Sequence, residues 1–237
     1  MKKQFSLEAM TLLYLGGVPS LKVQGMPKKS FTGCLKNAKI NEVPLDKPSH
    51  TVGVIPCYEG SFEPGMYFAQ EAGYIVADST FDTGLDFEIS FEIRPQDLSN
   101  VLLHLGDKTD NRLSLYMDSG KVTMSINNGA GTFKASVTSP GVLCDGKWHT
   151  ITVSQKRNAV HLYLDNETKQ TAGSNSALRS STKASLYIGG VPDALEMPWL
   201  PVKRSFEGCM KNLKVNKKDI KTLKLHGAIS LSRCPAV

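Results

Sequence analysis

Gly84-Leu85-Asp86-Phe87-Glu88-Ile89-Ser90-Phe91-Glu92-Ile93-Arg94-Pro95 is the stretch on which the fold class turns. From Phe87 to Ile93 every second residue is apolar and the residues between are polar. Successive side chains on a strand point to opposite faces, so this alternation writes one dry face and one wet face. The stretch predicts a half-buried β-strand.

The same period recurs outward from it, at Leu113/Leu115/Met117, Val122/Met124/Ile126, Ile151/Val153 and Val160/Leu162/Leu164. Ser119-Gly120, Asn128-Gly129, Asp145-Gly146 and Asp165-Asn166 punctuate these runs, and such pairs are turn formers. Hairpin follows hairpin, with no amphipathic helical stretch between. The expected class is all-β: an antiparallel two-sheet jelly-roll sandwich with wet outer faces.

A long repeat organises the chain. Leu15-Gly16-Gly17-Val18-Pro19 returns as Ile188-Gly189-Gly190-Val191-Pro192. Lys29-Ser30-Phe31-Thr32-Gly33-Cys34-Leu35-Lys36-Asn37 returns as Arg204-Ser205-Phe206-Glu207-Gly208-Cys209-Met210-Lys211-Asn212, and Cys57 returns as Cys234. The unit is therefore about 175 residues long. Residues 58–237 supply one whole unit and residues 1–57 the end of another. The apolar stretch from Ala9 to Val18, behind Lys2 and Lys3, looks like a short signal peptide. Its recurrence inside the chain argues instead for a strand over residues 9–19 running into a turn, in a piece of a longer secreted protein. Each copy carries two cysteines, Cys34/Cys57 and Cys209/Cys234, and the recurrence suggests a disulfide within each and an oxidising compartment. Zinc fits poorly, because there is no Cys-x-x-Cys spacing. Cys144 is left over and reads as a buried thiol.

The 237 residues are 41% apolar and 21% charged, a globular balance, and no apolar run is long enough to cross a bilayer. The net charge of +6 is uneven: residues 201–237 hold nine Lys/Arg against two Asp/Glu. Lys211, Lys214, Lys217, Lys218, Lys221 and Lys224 crowd fourteen residues, with Lys203 and Arg204 just upstream. Such a patch calls for an anionic partner. Nucleic acid is disfavoured, since no aromatics are interleaved for base stacking. Catalysis has little support: Cys144, Asp145 and His149 lie close in sequence, but Asp145-Gly146 reads as a turn and Cys144 as core. Asn166-Glu167-Thr168 is an N-glycosylation sequon on a hairpin turn.

Several strings together resemble laminin G-like domains. They are the 84–95 stretch, Val101-Leu102-Leu103-His104, Leu143-Cys144-Asp145-Gly146-Lys147-Trp148-His149 and the twice-seen Phe-x-Gly-Cys-[Leu/Met]-Lys-Asn. The ending Arg233-Cys234-Pro235-Ala236-Val237 is similar to the C-terminus of a laminin α chain. Pro27-Lys28-Lys29-Ser30-Phe31-Thr32-Gly33-Cys34, taken with Asn127-Asn128-Gly129-Ala130-Gly131, looks most like the α3 type. The resemblance implies a concanavalin A-like sandwich, with residues 1–57 ending the fourth G-like domain and residues 58–237 forming the fifth. It implies a non-enzymatic adhesion module of the basement membrane, binding heparin, heparan sulfate or sulfatide through the basic tail. Dystroglycan or syndecan-type receptors and, through the missing parent, other laminin chains are implied partners. Integrin contact belongs mainly to earlier G-like domains. Many family members hold one Ca²⁺ at the sandwich rim. Here Asp107, Asp110 and Asn127 match those positions, and an amide in place of a carboxylate predicts a weak site. The competing readings are a purely structural domain and a secreted glycan-processing or thiol enzyme.

Overall fold

The computed structural model describes residues 13–17, 31, 33–45, 48–51, 54, 57, 60–77, 81–82, 86–106, 111–174, 183–193, 195–220 and 223–236. The chain falls into two units, residues 1–49 and 50–237.

In the larger unit, strands of three or more residues run in order: β1 Met66–Val76, β2 Asp86–Pro95, β3 Asn100–Leu105, β4 Asn111–Asp118, β5 Lys121–Asn128 and β6 Thr132–Thr138. Then come β7 His149–Lys156, β8 Ala159–Leu164, β9 Glu167–Ala172, β10 Leu186–Ile188, β11 Gly208–Val215 and β12 Lys224–Ser230. The described residues contain no helix. Every strand pairing is antiparallel, in the order β6-β5-β4-β3-β10-β1-β11-β2-β7-β8-β9, with β12 on the other edge of β1. The ribbon folds on itself, so that β6 packs across from β8 and β9. The result is the predicted two-sheet sandwich. β1 serves both sheets, pairing with β10 through Ile75 and Val76 and with β11 through Met66–Phe68.

The alternation read from the sequence sets the core. Phe87, Ile89, Phe91 and Ile93 are all at most 3% exposed, and they face Leu103, Leu113, Leu115, Met124 and Ile126 of the other sheet in one continuous cluster. Each such side chain contributes about 1.5–3 kcal/mol on burial. A second cluster joins Val101 of β3 and Tyr116 of β4 to Met197, Leu200 and Val202 of the segment between β10 and β11. The Ser119-Gly120 turn has positive φ at both residues (52° and 80°), the mirror-image turn that matches strand twist in a two-residue hairpin.

The repeat extends to backbone detail. Phe206 N–H donates to the Gly189 carbonyl in one copy, and Phe31 N–H donates to the Gly16 carbonyl in the other. Left-handed residues also correspond: Asn37 with Asn212, Asn41 with Asn216, and Glu42 with Lys217. Gly189 shows why the turn is written with glycine. Its φ is +75°, and a Cβ there would lie 2.2 Å from the Phe68 ring. In the first copy the strand expected over residues 9–19 lies mostly outside the described residues. Leu13–Gly17 are described as a bend rather than a strand, and Lys39–Ile40 pairs with Val43–Pro44 in a small hairpin.

Candidate functional site

The basic tail becomes a hairpin. β11 runs to Val215, turns at Asn216 and Lys217, and returns through Lys218–Asp219, with Val215 opposite Lys218. Both turn residues are left-handed (φ 50° and 64°). Asparagine tolerates that conformation better than most residues, and here it is also tethered. Asn216 N–H donates to the Glu88 carbonyl at 2.7 Å, and its Oδ1 accepts from Glu88 N–H at 2.9 Å. The turn is thus pinned to β2. Lys214, Lys217 and Lys218 stand exposed around it, and none makes an ion pair among the described residues. The corresponding tip of the first copy carries Glu42, paired with Lys39 at 3.5 Å.

The other predicted cations are placed differently. Lys211 pairs with Glu92 at 3.4 Å, and its Nζ lies 3.9 Å from the Trp148 ring centroid. Arg204 pairs with Asp97 at 2.7 Å. Lys203 is exposed on the loop before β11. Lys224 opens β12 opposite Val76, at the far end of β1 from the residues that pair with β11. Lys221 lies outside the described residues. The fourteen-residue run of lysines therefore resolves into a hairpin trio, a lysine held against Trp148 and a lysine on another strand.

Beside Lys211 sits a cluster that local reading missed. Arg94 is 8% exposed, pairs with Glu63 at 2.7 Å and lies 4.9 Å from the Trp148 ring centroid on its way to the Cys209–Cys234 disulfide. It donates to Cys234 Sγ at 3.1 Å and to the Pro235 carbonyl. Trp148 Nε1–H donates to Glu63. The alternation of β2 had placed Arg94 at its end with no reason to expect burial. The disulfide forms as the repeat suggested, and Cys34 and Cys57 are each disulfide-bonded as well.

Asp107 and Asp110 lie outside the described residues. Asn127 is 8% exposed, and its Oδ1 accepts from Gly129 N–H at 3.0 Å. Of the three predicted calcium ligands only Asn127 is described, and its side-chain oxygen is neutral and already engaged in shaping the turn. Asn166 is exposed in the two-residue turn between β8 and β9, where an enzyme can reach it.

His149 does not face a thiol with a free nitrogen. Its Nδ1 lies 2.8 Å from Asp165 and its Nε2 3.1 Å from Asp145, so both ring nitrogens are taken. The Asp145 carboxyl is held below the usual carboxylate range, chiefly by the Lys147 N–H it accepts. The Cys144 thiol is pushed up by burial and then by Asp97, Asp145 and Glu207, the reverse of nucleophile activation.

Among the described residues no helix is long and apolar enough to cross a membrane. A family model for the laminin G domain matches residues 93–218. Laminin subunit alpha-3 of Homo sapiens is 39% identical over 226 residues, 94% of this chain and 7% of that protein. Laminin subunit alpha-4 of Mus musculus is 37% identical over 230 residues, 94% of this chain and 13% of its own length. This chain therefore spans a small part of these relatives. The solved structure of mouse laminin alpha1 chain domains LG4-5 superposes with a TM-score of 0.68 at 26% identity, covering 94% of this chain and 61% of that one. With a two-sheet sandwich of antiparallel strands and a family match over more than half its residues, this chain belongs to the laminin G domain family.

Proposed function

We propose that this chain is a non-catalytic adhesion module of a secreted basement-membrane protein, binding sulfated glycans through the hairpin that carries Lys214, Lys217 and Lys218. The supporting observation is that trio: three exposed ammonium groups, without an ion-pair partner among the described residues, around a turn pinned to β2 by Asn216. A sulfated glycan is a dense polyanion. Each lysine that neutralises a sulfate releases a condensed counterion, so binding is salt-dependent. A turn fixed in advance lowers the ordering cost of binding. Lys203, Lys211 and Lys224 extend the positive field rather than the contact, and Arg204 is tied to Asp97.

Heparin, heparan sulfate and sulfatide share the chemistry this hairpin takes, as do glycosylated receptors of the dystroglycan or syndecan type. Calcium is a weak adjunct at most, because Asn127, unlike Asp107 and Asp110, brings no charge. Asn166 carries an N-glycan in the secreted protein. Residues 58–237 act as the complete domain and residues 1–57 as the end of a preceding one.

Heparin-affinity elution against NaCl tests the reading, comparing the full chain with a variant carrying Lys214→Glu, Lys217→Glu, Lys218→Glu and Lys221→Glu. The wild type should elute well above physiological salt and the variant near the void, with unchanged thermal unfolding. Co-elution of the two at low salt would leave the domain a structural spacer without a glycan ligand.

A further inference from the structure

A recess of about 390 Å³ opens toward the C-terminal end of β1, away from the basic hairpin. Gly73, Tyr74, Val191, Asp193, Arg204, Ser205 and Glu207 line it. Its walls come from β1 and from the segment that joins β10 to β11. Glycines make room for it. A Cβ on Gly190 would meet the Gly73 carbonyl at 2.6 Å and Ser205 Oγ at 2.7 Å.

The Tyr74 ring is fixed in place. It stacks on His226 (centroids 4.8 Å apart, 15° between planes) and meets Tyr187 edge-on at 5.7 Å. Its phenol is pushed up by burial first, then by Tyr187 and Asp193, so the Asp193 carboxylate acts on the hydroxyl. Glu207 likewise helps push up Tyr67, after burial, and Cys144. Neither Asp193 nor Glu207 makes an ion pair among the described residues. Arg204, the one cation on the wall, is already held by Asp97. The recess is therefore electronegative on a chain of net charge +6. It combines an immobilised aromatic ring, two unpaired carboxylates and a hydroxyl.

We infer that this recess is a docking pocket for a cationic side chain, an arginine above all, presented by a protein partner. Carboxylates at a recess form charge-assisted hydrogen bonds, and a guanidinium offers a planar fork to them while lying against an aromatic ring. A polyanionic glycan is repelled by the same carboxylates, so this pocket and the hairpin take opposite partners. A neutral sugar would satisfy the ring and the hydroxyl but would leave two charges without counterparts.

The test is an NMR titration of the full chain with N-acetyl-arginine methylamide and with its neutral isostere, the citrulline analogue. The arginine compound should give saturable shifts centred on Tyr74, Ser205 and Glu207. The citrulline compound should bind roughly tenfold more weakly, the loss of one charge-assisted contact. A variant with Asp193→Asn and Glu207→Gln should lose the arginine response by a similar factor while keeping its unfolding temperature and its elution from heparin. Equal response to the two compounds, shifts scattered over the surface, or tighter saturation of the same resonances by methyl glucoside would each overturn the assignment.

Discussion

His104 is 0% exposed, on β3 between Ser114 and Tyr187. Its Nδ1 lies 2.9 Å from Ser114 Oγ, and its ring lies against Tyr187. Burial holds its pKa down to about 4, with the nearby Gly106 backbone opposing the effect and Arg112 adding to it. A histidine whose folded pKa is depressed costs nothing while both states are neutral. The cost appears once the unfolded chain takes a proton that the folded chain refuses. Stability should therefore be unaffected by this residue above pH 6.5 and fall from there to pH 4, by up to about 3 kcal/mol from this group alone. His104→Gln fills similar space without titrating. Urea unfolding at half-unit pH steps should show the wild-type curve falling away from the variant's between pH 6.5 and 4. Parallel curves would mean that the imidazole is hydrated or protonated in the folded state.

Strand by strand, the ease of reading followed the burial pattern. β2 and β7 have one dry face and one wet face, so their alternation is complete and was visible. β9, Glu167-Thr168-Lys169-Gln170-Thr171-Ala172, is exposed along nearly its whole length at the end of the ribbon, and no apolar period marks it. β1 pairs with strands of both sheets and shifts register against β12 beside Gly73, whose φ is +101°, which erases any simple alternation. The hairpin after β11 was visible only as charge. What makes it an element is Asn216, left-handed and bonded twice to Glu88. Asn216→Ala removes the side-chain bond and strains the turn, whereas Asn216→Gly removes the bond and relieves the strain. The alanine variant should lose about 1–2 kcal/mol and the glycine variant noticeably less. Both should elute from heparin earlier than wild type, since the lysines remain but the turn that presents them is looser. Equal losses in urea unfolding would show that the left-handed backbone is not what the asparagine serves.

At the scale of the whole molecule, sequence proximity and spatial proximity part company. The lysines from Lys211 to Lys224 are neighbours in the chain, yet Lys224 sits on β12 opposite Val76 while Lys214 sits on β11 opposite Ser90. Conversely, Tyr74, Asp193 and Glu207 meet at one recess although more than a hundred residues separate the first from the others, so no local pattern could announce it. Only the cysteine repeat carried long-range information in the sequence, because a cross-link shows itself by its recurrence. Its consequence is global. Cys234–Pro235 pairs with Phe62–Glu63, Ala236 N–H donates to the Ser61 carbonyl, and the bond to Cys209 fixes this returning end to β11 beside buried Arg94. The two ends of the larger unit are thereby stitched together. The 25-residue separation of the two cysteines sets the chain entropy that the cross-link removes from the unfolded state. Replacing Cys209 and Cys234 together by alanine should lower the unfolding free energy by about 3 kcal/mol. It should also steepen the denaturant dependence, because the unfolded chain then exposes more surface. The same variant should open first at its C-terminal end, seen as rapid amide exchange at Ala236 while the β2–β7 amides stay protected. A loss below about 1 kcal/mol would mean that Arg94, Glu63 and the short strand pair hold the end closed without the bond.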